Sequence, residues 1–109
     1  MSKVILLHGG SSARRSAIGD AVRNRVLDSE GFPVRVRTSS QAAEAAKCLA
    51  DPSTVALLLL DAPHDAVAVR AAAAQVGVGR HVYDLEPRDD ADVAVSVVRS
   101  ALYDIESGA

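Results

Sequence analysis

Aromatic side chains are nearly missing from this chain: no tryptophan, one phenylalanine and two tyrosines in 109 residues. Proteins that hold nucleic acid commonly stack bases on aromatic rings in a basic groove. Here 12 basic residues are outnumbered by 14 acidic ones, for a formal charge of −2, and no basic stretch is interleaved with rings. Nucleic acid is therefore excluded as the main partner. Cysteine is just as scarce, and the lone Cys48 rules out an intrachain disulfide and fits a reducing compartment. No apolar run reaches the roughly 18 residues of a membrane span. The short run at the amino end leads straight into a glycine turn, which is not the pattern of a signal peptide. These absences predict a cytoplasmic protein with no membrane partner, and no cofactor is expected.

What remains is a globular composition, 49% hydrophobic and 24% charged, which predicts a single domain over residues 1–109. Strand and helix patterns alternate four times. The apolar run Val4-Ile5-Leu6-Leu7 ends at His8, and a polar turn, Gly9-Gly10-Ser11-Ser12, follows. A helix is predicted over residues 15–30, with Ile18, Ala21, Val22 and Val26 on one face and Gly31 just past its end. Residues 33–37 alternate, Val34 and Val36 against Arg35 and Arg37, and begin at a proline, as suits an edge strand.

Ser39 or Ser40 is expected to cap a second helix, in which Ala42, Ala45, Ala46 and Leu49 form the apolar stripe. Asp51-Pro52 should stop it. TVALLLL, Thr54–Leu60, is apolar on both faces and must be a central strand. Asp61-Ala62-Pro63-His64 forms a turn, and Asp65 is placed to cap a third helix with Val69, Ala72, Ala73 and Val76 on its buried side. Gly77 or Gly79 ends that helix. A shorter strand is predicted over 81–85. The last helix follows Pro87 with Asp89 and Asp90 at its positive end, and buries Ala94, Val97, Val98, Ala101, Leu102 and Ile105.

Right-handed crossovers and two wholly apolar strands imply a three-layer αβα domain. Its parallel sheet has four strands in the order 2-1-3-4, the plan called flavodoxin-like. Strands 1 and 3 are then neighbours whose connections leave in opposite directions, and ligands of open α/β sheets bind in such a crevice. Residues 8–16 and 61–65 line it. Arg14 and Arg15 are informative there, because cations in a helix's first turn oppose its dipole by about 0.3–1 kcal/mol each. One explanation is an anion site built from Gly9, Gly10, Ser11, Ser12, Arg14, Ser16 and the free backbone N–H groups. The other is an ordinary glycine turn with both arginines in solvent.

His8 is the candidate catalytic residue, as phosphoacceptor or base; the competing reading is a half-buried imidazole bonded to a loop carbonyl. Asp61 and His64 are crevice neighbours. Asp61 also suits phosphoacceptance, although turn and cap roles explain Asp61 and Asp65 as well. His8, His64 and an aspartate have no specific metal-ligand spacing, and no metal is expected. Glu86-Pro87 offers a possible general acid or an exposed turn carboxylate. Cys48, inside the second helix, is read as packing.

HGGSSARRS resembles the signature of low-molecular-weight tyrosine phosphatases and thiol arsenate reductases. Those proteins carry a cysteine after an apolar strand, then five residues, an arginine, a serine and a helix. His8 stands at the cysteine position, Arg14 six further on, and Ser16 follows after one extra residue. Leu60-Asp61-Ala62-Pro63-His64 and Asp84-Leu85-Glu86-Pro87 are similar to later segments of that family, the latter with glutamate where their Asp-Pro acid stands. Without the thiolate, the resemblance implies a phosphate-binding relic or a histidine-phosphorylated variant. The cysteine-phosphorylated IIB components of sugar phosphotransferase systems look similar in length, four-strand plan and Gly/Ser-rich first loop.

Glu30-Gly31-Phe32-Pro33-Val34, Ala42 to Leu49 and Leu58-Leu59-Leu60-Asp61 resemble response-regulator receiver domains. His8-Gly9-Gly10 replaces their acidic pair, which implies a degenerate receiver. Residues 30–35 and 42–60 also resemble the small subunit of reactivating factors for cobalamin-dependent diol dehydratases. The expectations are therefore three. The first is a regulatory domain binding a phosphate-bearing small molecule or protein partner, with little or no turnover. The second is a signalling or accessory module, as a homodimer or accessory subunit. The third is a phosphotransfer protein using His8.

Overall fold

Two strands without a polar face occupy the middle of the sheet. In the computed structural model, which describes residues 3–107, β1 (Lys3–Gly9) and β3 (Thr54–Leu60) pair in parallel. Ile5, Leu6, Leu7 and the four leucines Leu57 to Leu60 are all at most 1% exposed. Burying one such side chain stabilises the fold by about 1.5–3 kcal/mol, which outweighs any propensity for another arrangement. β2 (Val34–Ser39) flanks β1, and β4 (Val82–Leu85) flanks β3, both parallel. The order is β2-β1-β3-β4, as expected, and the plan is the flavodoxin-like one.

Side chains alternate along a strand, so each central strand feeds two cores. Ile5 and Leu7 pack with Ile18, Val22, Val26, Val98 and Leu102, on the layer of α1 (Ser12–Val22) and α4 (Ala91–Glu106). Val4 and Leu6 pack with Ala45, Leu49, Val69 and Ala73, on the layer of α2 (Ala42–Ala50) and α3 (Ala66–Gln75). The helix after β1 and the helix after β3 thus lie on opposite faces, and the sheet opens between them at its carboxyl edge.

Several local expectations are corrected. α1 begins at Ser12 rather than Arg15, because the Ser11 hydroxyl caps it by accepting the Arg14 N–H at 3.0 Å. The rod continues as π-helix through Arg23–Asp28, where Val26 and Leu27 are both buried, and Gly31 leaves it with φ +72°. β2 starts at Val34, not at Pro33, which has no N–H for the ladder; the Pro33 carbonyl accepts from the Lys3 N–H instead. Neither Ser39 nor Ser40 caps α2. Gln41 stands at the cap, and Glu44 reaches back to accept its N–H at 3.2 Å.

On α2 the buried stripe runs through Cys48, whose Sγ lies 3.8 Å from Thr54 Oγ1, while Ala46 is exposed. On α3, Val76 is 47% exposed because the helix has already ended at Gln75. Gly77, at φ +84°, turns the chain so that Val78 is buried instead. A 3-10 turn, Gly79–His81, delays β4 to Val82. Asp90 caps α4, accepting the Val93 N–H at 3.1 Å; Val95 joins its buried side, and Val97 and Ile105 are only half-buried.

Two glycines separate backbone strain from crowding. Gly9 (φ +98°) has Leu60 O and Pro63 Cγ each 2.7 Å from where a Cβ would stand, whereas Gly31 (φ +72°) has nothing within 4 Å. Gly31→Ala should therefore cost only the left-handed penalty, about 1–2 kcal/mol. Gly9→Ala should cost clearly more, about 3 kcal/mol or above, from strain plus displaced backbone. Urea unfolding of the two variants measures the gap.

Candidate functional site

Three chain segments meet where the sheet opens: the turn after β1, the end of β2 and the turn after β3. His8 shares the parity of Val4 and Leu6, so its ring points into the layer of α2 and α3. It is fully buried. Nδ1 lies 2.8 Å from the Ser39 hydroxyl, its register partner on β2, and Nε2 lies 2.8 Å from Asp65 Oδ1. Facing a carboxylate, Nε2 carries the hydrogen and donates, so in the neutral ring Nδ1 accepts from Ser39. The hydrogen bond from His8 holds the Asp65 carboxyl below the usual carboxylate range. Asp65 stands at the cap of α3, yet its side chain makes no cap hydrogen bond; the expected cap is a histidine partner instead.

The arginines lie on the other side of the turn and do not extend into water. Arg14 donates through Nη2 to the Glu86 carbonyl at 2.8 Å and through Nε to Asp61 Oδ1 at 3.3 Å. Arg15 donates to the carbonyls of Gly9 and Gly10 at 3.0 and 2.7 Å. Hydrogen bonds to charged groups are worth about 1.5–3 kcal/mol, more than the dipole penalty of a first-turn cation. That comparison explains why both guanidinium groups fold inward. Asp61 and Ala62 both adopt left-handed backbone, φ 60° and 47°, and the Asp61 N–H donates to the Leu85 carbonyl at 2.8 Å. This turn aims the Asp61 carboxylate at Arg14 and over Gly10, where Oδ2 lies 3.0 Å from an added Cβ.

The structure therefore splits the expected residues into two groups. Gly9, Gly10, Arg14 and Asp61 converge on the turn. The Ser11 hydroxyl is occupied as the helix cap, and Ser12 and Ser16 face a groove between α1 and β2 with Arg15, Gly19 and Thr38. His8 is not beside Arg14 but in the opposite layer, which follows from strand alternation. The residue that reaches it across the crevice is Asp65; its neighbour His64 is exposed and makes no hydrogen bond to His8 among the described residues. Glu86 is exposed, its carboxylate paired with Arg88, and it meets Arg14 only through its carbonyl. Among the described residues no cluster of three His, Cys, Asp or Glu side chains is arranged to hold a metal ion, and no helix is long and apolar enough to cross a membrane. Asp65 stands on the turn that the sequence already sets across the crevice from His8, whereas Ser39 carries no sequence signal as its partner; the parity of His8 with Leu6 is the signal that would have told which layer its ring enters.

No protein-family model matches the sequence, and no curated protein matches it. Among solved structures the chain is similar to the lactose-specific IIB component domain of the phosphoenolpyruvate:carbohydrate phosphotransferase system from Streptococcus pneumoniae. The TM-score is 0.65, over 98% of this chain and 97% of that one, at 10% sequence identity. At that identity the likeness is one of fold. It agrees with the IIB-like plan read from the sequence.

The His8 bridge has a measurable pH signature. Asp65 is harder to protonate in the folded state, so its contribution to stability is complete above the ordinary carboxylate pKa and fades as pH falls through the lowered folded value. Asp65→Asn should remove that part of the acid destabilisation below about pH 4. His8→Ala should cost about 3–5 kcal/mol near neutral pH, since it opens a cavity and strands the buried Ser39 hydroxyl. Urea titrations of the three proteins across pH 2.5–7 test both statements.

Proposed function

We propose that this domain binds the phosphoryl group of a phosphorylated small molecule or protein partner at residues 9–16, without turning it over. The observation that carries the reading is the Arg14 guanidinium, folded over a glycine turn and engaged there with a carboxylate. A group arranged to hold one oxyanion is suited to another, and a phosphate monoester brings about −1.5 to −2 of charge with three acceptor oxygens. At the start of α1 the Arg14 N–H is taken by the Ser11 cap, which leaves the N–H groups of Ser12 and Ala13 as further donors in this reading. The fold likeness to a domain of a phosphotransferase system supports a role connected with phosphoryl groups. In this reading Gly9 and Gly10 let backbone approach the anion, Arg14 is the main donor, and Arg15 fixes the turn by tying its carbonyls.

Phosphotransfer through His8 ranks below this reading. An acceptor nitrogen needs a free lone pair and access, whereas both ring nitrogens of His8 are hydrogen-bonded and the ring is fully buried. Incubation with phosphoenolpyruvate, acetyl phosphate or a phosphorylated carrier protein should leave no acid-labile label; label that disappears in His8→Ala would reverse the ranking.

Isothermal titration with phosphate, sulfate and arsenate tests the anion loop directly. Binding in the millimolar range is expected, and Arg14→Ala should weaken it by about tenfold or more, the loss of one charge-assisted hydrogen bond. Absence of binding, or binding indifferent to Arg14→Ala, removes the proposal.

A further inference from the structure

We infer that Asp61 is a built-in competitor for this loop, whose carboxylate must leave when a phosphate binds. The inference rests on the anion-loop reading above and adds how that site is kept closed. Asp61 Oδ1 lies 3.3 Å from both Nε and Nη2 of Arg14. Its Oδ2 lies against Gly10, within the bend that a ligand anion would enter. Two anions cannot share one guanidinium at that range without strong mutual repulsion, so occupancy by Asp61 and by phosphate exclude each other.

The surroundings let Asp61 vacate without dismantling the turn. Its backbone is fixed by the N–H bond to the Leu85 carbonyl, so a side-chain rotation is enough to free the bend. Arg14 would stay in place, because Nη2 is separately anchored on the Glu86 carbonyl at 2.8 Å. Both side chains are about one-fifth exposed, 22% and 19%, so an incoming anion can reach them. A singly charged carboxylate is a weaker ligand than a phosphate monoester dianion. The competitor therefore selects the ligand class: phosphate monoesters displace it, and simple carboxylates do not.

Titration of inorganic phosphate and of acetate into wild type, Asp61→Asn and Asp61→Gly tests this, with circular dichroism to establish folding. Asparagine tolerates the left-handed backbone at position 61 and glycine prefers it, so both variants should fold. Both should bind phosphate about tenfold more tightly than wild type, and acetate binding should become detectable only in the variants. If wild type and the variants bind phosphate equally well, Asp61 is no competitor, while the anion loop stands. If none of the three folded proteins binds millimolar phosphate, the loop reading fails and the competitor with it.

Discussion

β1 and β3 lie side by side because neither can face water. Each presents apolar side chains to both sides, so each needs a helix layer above and below and a strand on either flank. Only the middle of a parallel sheet satisfies that demand. Their adjacency then dictates the rest: α1 leaves toward one layer and α3 toward the other, and the two turns are left facing each other at the carboxyl edge. Every polar group with a claim on function stands on one of those turns, near the start of the helix that follows it, or on a strand end beside them.

Two polar constructions stabilise this edge, one in each layer. In the layer of α2 and α3, His8 joins β1, β2 and the start of α3 through one ring, and each of its nitrogens has a partner. A buried imidazole with an unmatched nitrogen would carry a penalty of about 1–3 kcal/mol, and the full pairing lets His8 brace three elements at once. On the side of α1, Arg14 and Arg15 reverse the usual aversion of a helix start for cations. Arg15 neutralises two carbonyls of the glycine turn, and Arg14 spans to β3 and β4 through Asp61 and Glu86. Among the described residues no buried side-chain nitrogen or oxygen is left without a partner.

The likeness to a IIB domain at 10% identity shows how little of the plan depends on particular side chains. Two apolar strands, two flanking ones and four helices with small apolar stripes suffice for it. What individualises this chain is the chemistry of the turns. Asp61 and Ala62 accept a left-handed backbone that glycine would adopt more readily, and the result is a carboxylate held against an arginine in the bend.

The sequence by itself determined the layers, the strand order and most of the core, since an apolar run such as Thr54–Leu60 has one place to go and helical stripes declare their buried side. It also marked the turn after β1 as unusual, through two cations beside glycines. Where the ladder or a cap depended on one atom, as at Pro33, Ser39 and Asp65, local pattern was not enough. The partners of His8 and of Arg14 were decided only in three dimensions. Ser39 meets His8 through strand register, and Asp61 meets Arg14 through a turn 47 residues away. Such pairings follow from how distant elements pack, a quantity that no local periodicity encodes.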